Sequence, residues 1–157
     1  NTINYSLSDY LFSWLFILPL QYYNMRLIIA GSRDFTDQKY LFEKIDEIRL
    51  QHKITVINCG LAKGADNMGK KYGQANDIEI IDYPALWDDL TAQPCKIKLN
   101  KYGKEYNVLA GFNRNEKMAV EGDILAVFYK KGASNNGSKD MKQRSINHGL
   151  IIYEYER

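Results

Sequence analysis

Histidine and cysteine are scarce in this chain, with two of each among its 157 residues. Cys59 and Cys95 lie far apart, neither belongs to a C-x-x-C pair, and His52 and His148 show no metal-ligand spacing. That argues against a metal-stapled fold, so a reduced chain without structural metal or cofactor is the simpler reading. Charge of one sign is also lacking. The net charge is +2, too little to mark a polybasic nucleic-acid binder on charge alone, although a local basic patch stays open. No Ser-His-Asp or Cys-His arrangement is visible.

Long hydrophobic runs are lacking as well, with one partial exception. From Tyr10 to Met25 there is no charged residue, and Leu11 to Leu18 is strongly apolar. A membrane-spanning helix needs about 20 such residues, and Pro19 interrupts this run. A secretory signal wants basic residues ahead of its apolar stretch, yet Asp9 is acidic and the first basic residue is Arg26. Residues 1–24 are therefore read as an apolar extension of uncertain role, serving as an accessory helix, a membrane or partner segment, or an upstream addition. Met25, directly before the first clear strand, makes a natural start for a compact domain over 25–157. A membrane partner is not expected, self-association is left open, and a cytoplasmic location is expected.

What is present is a regular alternation. Leu27 to Ala30 is a short apolar run closed by Gly31, the pattern of a buried strand followed by a tight turn. Thr36 and Asp37 suit the cap of a helix in which Leu41, Ile45 and Ile48 recur at helical spacing. Ile54 to Ile57 reads as a second strand and the stretch from about Gly64 to Ala75 as a helix. Ile78 to Ile81 reads as a third strand. Residues 84–110 read as irregular, and a connection this long is usually functional or mobile. A short helix from about Asn113 to Glu121 precedes a fourth strand, Asp123 to Tyr129. Ser138 suits the cap of a helix to Asn147, and Leu150 to Tyr153 is the last strand. Strands apolar on both faces suit a parallel sheet covered by helices on both sides. The expected fold is α/β, with a doubly wound, mainly parallel five-stranded sheet.

In such sheets ligands bind outside the carboxyl ends of the strands, where the strand order reverses. Three loops follow those ends: Gly31-Ser32-Arg33-Asp34, Gly60 to Asp66 with Lys63 and Gly64, and Lys130 to Lys139 with Gly137 and Ser138. Each is rich in glycine, hydroxyls or cations and leads towards a helix start. Glycine admits a phosphate close to the backbone, helix N-terminal amides point at it, and arginine grips two of its oxygens. A strand-to-helix turn needs glycine anyway, so a single loop is weak evidence, and three of them converging on one edge favour a ligand site over the plain turn reading. Gly111-Phe112-Asn113-Arg114-Asn115 adds Arg114 as positive charge and Asn115 to orient a ribose or phosphate, against the plainer reading of Asn113 as a helix cap. Met118 is read as core. Asp66 accepts either from backbone amides at its own helix start or from a ligand hydroxyl. Trp87 with the tyrosines at 83, 102 and 106 either stacks on a base or covers a core edge. His148 reads as part of a helix C-terminus.

With these residues in place, 25–157 resembles the YspA branch of the YpsA-related SLOG superfamily. The resemblance rests on Gly31-Ser32-Arg33-Asp34-Phe35, Gly60-Leu61-Ala62-Lys63-Gly64-Ala65-Asp66, Trp87-Asp88 and Tyr102-Gly103-Lys104. It continues through Ala110-Gly111-Phe112-Asn113-Arg114-Asn115 and Gly137-Ser138-Lys139-Asp140-Met141. It implies a Rossmann-like fold and a pocket for nucleotides or nucleotide-derived signals. Many members are similar to ligand sensors in phage, plasmid and bacterial conflict systems. The superfamily also holds LOG-type phosphoribohydrolases, marked by a Pro-Gly-Gly-x-Gly-Thr-x-x-Glu loop. Here the catalytic glutamate position falls on Met141, with Asp140 beside it. DprA-type DNA-processing proteins are similar in the Gly-Ser-Arg turn, the Gly-Leu-Ala-x-Gly-x-Asp turn and the Arg-Asn pair. The expected function is a nucleotide sensor whose ligand meets Gly31, Ser32, Arg33, Gly60, Lys63, Gly64, Asp66, Arg114, Asn115, Gly137 and Ser138. The alternatives are an N-glycosidic hydrolase using Asp66, Glu116 or Asp140, and a single-stranded DNA binder.

Overall fold

The computed structural model describes residues 23–157, so the apolar segment read over 1–24 lies almost wholly outside the described residues. Five strands form one parallel sheet: β1 (Asn24–Gly31), β2 (Lys53–Cys59), β3 (Glu79–Asp82), β6 (Ile124–Tyr129) and β7 (Ile151–Glu156). Their order is β3-β2-β1-β6-β7, and every neighbouring pair is parallel. Among the described residues four helices cover it: α1 (Gln38–Gln51), α2 (Ala65–Ala75), α3 (Ala110–Val120) and α4 (Asn136–Asn147). This is the doubly wound, Rossmann-like architecture expected from the alternating pattern.

The central strands are buried on both faces because successive residues point to opposite sides. Leu27 and Ile29 of β1 join Ile124, Ala126 and Phe128 of β6 under α1 and α2. Ile28 and Ala30 join Leu125, Val127 and Tyr129 under α3 and α4, where Met118 packs as core. In α1, Leu41, Ile45 and Ile48 are buried as their spacing predicts, and the Asp37 carboxylate caps the helix by accepting from the Tyr40 amide at 3.0 Å. His148 closes α4 at its C-cap.

Three local expectations are corrected. The stretch 84–110 is not wholly irregular: β4 (Ile97–Leu99) and β5 (Glu105–Asn107) form an antiparallel hairpin. Strands of three mostly exposed residues carry too little apolar alternation to announce themselves. Helix α3 starts at Ala110, not Asn113, and Asn113 is no cap; its Nδ2 donates to the Pro94 carbonyl at 2.9 Å. The fully buried Asn107 organises this entry instead, its Oδ1 accepting from the Leu109 amide at 3.0 Å and the Lys96 amide at 3.1 Å. Likewise α4 starts at Asn136 behind Asn135, so Ser138 lies in its first turn and is not its cap. Cap-forming residues recur along both segments, and the tertiary partner decides which one is used.

Candidate functional site

The chain runs β1, β2, β3 outward on one side, then returns to lay β6 on the other flank of β1. The order therefore reverses between β1 and β6, and a crevice opens there beyond the strand ends. It has a volume of about 510 Å³ and is lined by the loop after β1, by Ala62 and Asp66, by Arg114 and Asn115, and by residues 133–138 with Met141.

The walls are locked together by short-range bonds between segments distant in sequence. The Ser32 amide donates to the Phe128 carbonyl at 2.9 Å, and Ser32 Oγ accepts from the Lys130 amide at 2.8 Å. The same hydroxyl donates to Asn135 Oδ1. Ser32, only 1% exposed, is thus a latch between the β1 and β6 loops and not a freely offered donor. Gly64 holds the next loop against it: its φ is +75°, and a Cβ there would overlap the Ser32 carbonyl oxygen.

Arg114 reaches from α3 to the loop that follows β2. Its Nη1 donates to the Gly60 carbonyl and its Nε to Asn115 Oδ1 at 3.0 Å. A Cβ on Gly60 would lie 2.7 Å from both Arg114 Nη1 and Asp66 Oδ2, so this glycine leaves room for both charged groups. Burial pushes the Asp66 carboxyl up to about 6, against the opposing pull of Arg114 and of the Ala62 and Asp66 amides. Burial in turn lowers Arg114 from its ordinary value, with Asp66 pulling it back up. The N-cap residues of α2 and α4, Gly64 and Asn135, make no side-chain cap bond; at α2 the Asp66 carboxylate engages its own amide, while residues 135–138 at the start of α4 line the crevice. Arg33 adds an exposed cation.

Of the residues singled out in the sequence, Gly31, Ser32, Arg33, Asp66, Arg114, Asn115, Gly137 and Ser138 line this one crevice. Gly60 and Gly64 stand behind its wall, and Lys63 is exposed outside the lining. Asn115 spans α3 and α4, its Nδ2 donating to the Gly137 carbonyl at 3.2 Å and to Asp140 Oδ2 at 2.9 Å. Asp140 Oδ2 also accepts from Arg144 Nε at 2.9 Å, and Arg144 Nη1 donates to Glu116 Oε2 at 2.5 Å. His148 Nε2 lies 2.7 Å from Glu116 Oε1, and its bond with that of Arg144 holds Glu116 below the usual carboxylate range. Neither Asp140 nor Glu116 lines the crevice, so of the three acid–base candidates only Asp66 does. Asn135 was missed as a site residue, although it belongs to the Gly/Ser/Asn loop that signals the crevice. None of the four aromatics lines this crevice: Tyr83 is buried with its hydroxyl donating to Glu121 Oε2 at 2.6 Å, and Trp87 packs beside Tyr106. Among the described residues, no helix is long and apolar enough to cross a membrane.

Fold and site together define a Rossmann-like α/β domain with a crevice at the topological switch point, rimmed by two helix N-termini and two arginines. Residues 25–89 match the YspA, cpYpsA-related SLOG family, which bears out over that stretch the resemblance read from the sequence. The chain is also similar in structure to DNA processing protein A (DprA) from Streptococcus pneumoniae, with a TM-score of 0.58 and 20% identity over 87% of this chain. That likeness establishes a shared fold. The chain spans about half of that protein, 52% of its length. No curated protein matches the chain in sequence.

Proposed function

We propose that the chain binds a nucleotide or nucleotide-derived ligand, phosphate first, in the crevice between β1 and β6, and that it acts as a sensor domain. The observation that carries this reading is the convergence of Arg33, Arg114 and the N-terminal turns of α2 and α4 on one hollow of about 510 Å³. Backbone amides, helix dipoles and guanidinium groups aimed at one point favour an anion. Arg33 grips phosphate from the rim and the first-turn amides of α4 receive it. Arg114 closes the inner wall, and Asp66 accepts from a ligand hydroxyl. The SLOG match supports a nucleotide-type ligand.

The Asp140 and Glu116 carboxylates are held by Arg144 and His148 away from the hollow, which leaves Asp66 as the one acid–base candidate that an N-glycosidic hydrolase could use there. Thermal-shift titration with nucleoside mono-, di- and triphosphates and ADP-ribose tests the reading. Stabilisation that disappears in Arg33→Ala supports it. No stabilisation by any of these compounds, with the fold intact, overturns it. Binding that needs an oligonucleotide and weakens steeply with salt moves the conclusion to single-stranded DNA.

A further inference from the structure

A second cleft lies beside the first, on the α3 side of the sheet. Its volume of about 300 Å³ falls at the lower end of ligand pockets, which run roughly 300–1,000 Å³. Ile81, Tyr83, Pro84, Leu86 and Ala110 give it apolar walls. Its lining sets Asp82, Asp89 and Glu121 against Arg114 and Lys117; Asp82 Oδ2 pairs with Lys70, Glu121 Oε2 accepts from the Tyr83 hydroxyl and Asp89 Oδ1 from Thr91, and the second oxygen of each carboxylate makes no hydrogen bond among the described residues. Those free carboxylate oxygens can accept from N–H donors. The fully buried Asn58, outside the cleft's lining, pairs in register with Ile81 and so projects from the same sheet face, yet neither of its amide atoms has a hydrogen-bond partner. A buried amide left so is costly, and this one faces the same side of the sheet as the cleft. The two clefts share one wall, the Arg114 side chain.

We infer that the second cleft is the subsite for a neutral, flat heterocycle carrying exocyclic amino groups: the base of the same nucleotide whose phosphate occupies the first. The apolar walls cover the ring faces, and the carboxylate rim accepts from its amino edge. The inference rests on the phosphate reading of the neighbouring crevice, and the two fail differently.

The test compares inorganic phosphate, ribose 5-phosphate, the four nucleoside 5′-monophosphates and the four free nucleosides by calorimetry. At least one amino-bearing monophosphate binds about tenfold or more tightly than ribose 5-phosphate, the gain expected from one covered base. Ala92→Phe, which fills the cleft from its loop side, removes that gain and leaves ribose 5-phosphate affinity unchanged. Leu86→Ala, at an exposed wall position, lowers the gain about threefold by removing apolar contact. Equal affinities for ribose 5-phosphate and every monophosphate overturn the inference, as does a gain that survives both substitutions in a folded protein. If neither phosphate nor ribose 5-phosphate binds, the phosphate reading falls. The free nucleosides then decide: binding that Ala92→Phe abolishes upholds the base subsite, and no binding removes it.

Discussion

Replacing Asp66 by asparagine separates the cost of this carboxylate from its use. Asp66 is only 6% exposed, and burial moves its carboxyl from the ordinary 3.8 to about 6. Below pH 3.8 the group is neutral in both the folded and unfolded chain and costs nothing. Between 3.8 and 6 the unfolded chain loses the proton that the folded chain keeps, so stability falls as pH rises. Above 6 the full cost is present, about 3 kcal/mol at ~1.4 kcal/mol for each tenfold change in proton affinity. The asparagine side chain carries no such charge, although its NH₂ arm meets amide donors that the carboxylate accepted from. Asp66→Asn therefore stabilises the fold at pH 7.5 by about 1–3 kcal/mol, or roughly 2–4 °C of Tm per kcal/mol for a chain of this size. The advantage shrinks towards zero at pH 3.5. Paired urea melts of the two proteins across that range, read by circular dichroism, measure the difference directly. The same variant loses affinity for hydroxyl-bearing nucleotides. A stability difference that stays flat with pH, or a variant less stable than the parent at pH 7.5, refutes the reasoning.

Other changes give distinct outcomes. Arg33→Ala leaves the denaturation midpoint nearly unchanged, within about 0.5 kcal/mol for an exposed residue, and weakens phosphate-bearing ligands by about tenfold or more. Ser32→Ala strands the Lys130 amide and frees Asn135, costing about 1–3 kcal/mol in a chemical melt and loosening the loop between β6 and α4. Gly60→Ala drives a methyl against Arg114 and Asp66, costing about 1–3 kcal/mol and lowering ligand affinity in the same calorimetric titration. Glu116→Gln leaves ligand affinity unchanged, because its carboxylate answers to Arg144 and His148 and not to the crevice; a marked loss would place it in the site after all.

The five sheet strands were legible because each is a short apolar run bounded by turn residues. The core of α1 was legible from the spacing of Leu41, Ile45 and Ile48. The hairpin β4–β5 was not, since three-residue strands with mostly exposed side chains leave no periodic signal. Nor was the true start of α3, which a buried amide on Asn107 fixes from the loop before it. The glycine-rich loops identified which segments belong to the site. They did not reveal that Ser32 spends its hydroxyl on Asn135 and Lys130, or that Asp140 and Glu116 are tied to Arg144.

Sequence alone determined the α/β class, the central core and the loops that follow the strands, because backbone preference and side-chain alternation act over a few residues. Tertiary structure decided that β6 returns beside β1. That placement brings Lys130 to Ser32 across 98 positions of chain, and sets Arg114 over Gly60 across 54. Strand order is a long-range choice among packings that share the same local pattern, so the charge, burial and free volume of the crevice come into being only when the sheet is assembled.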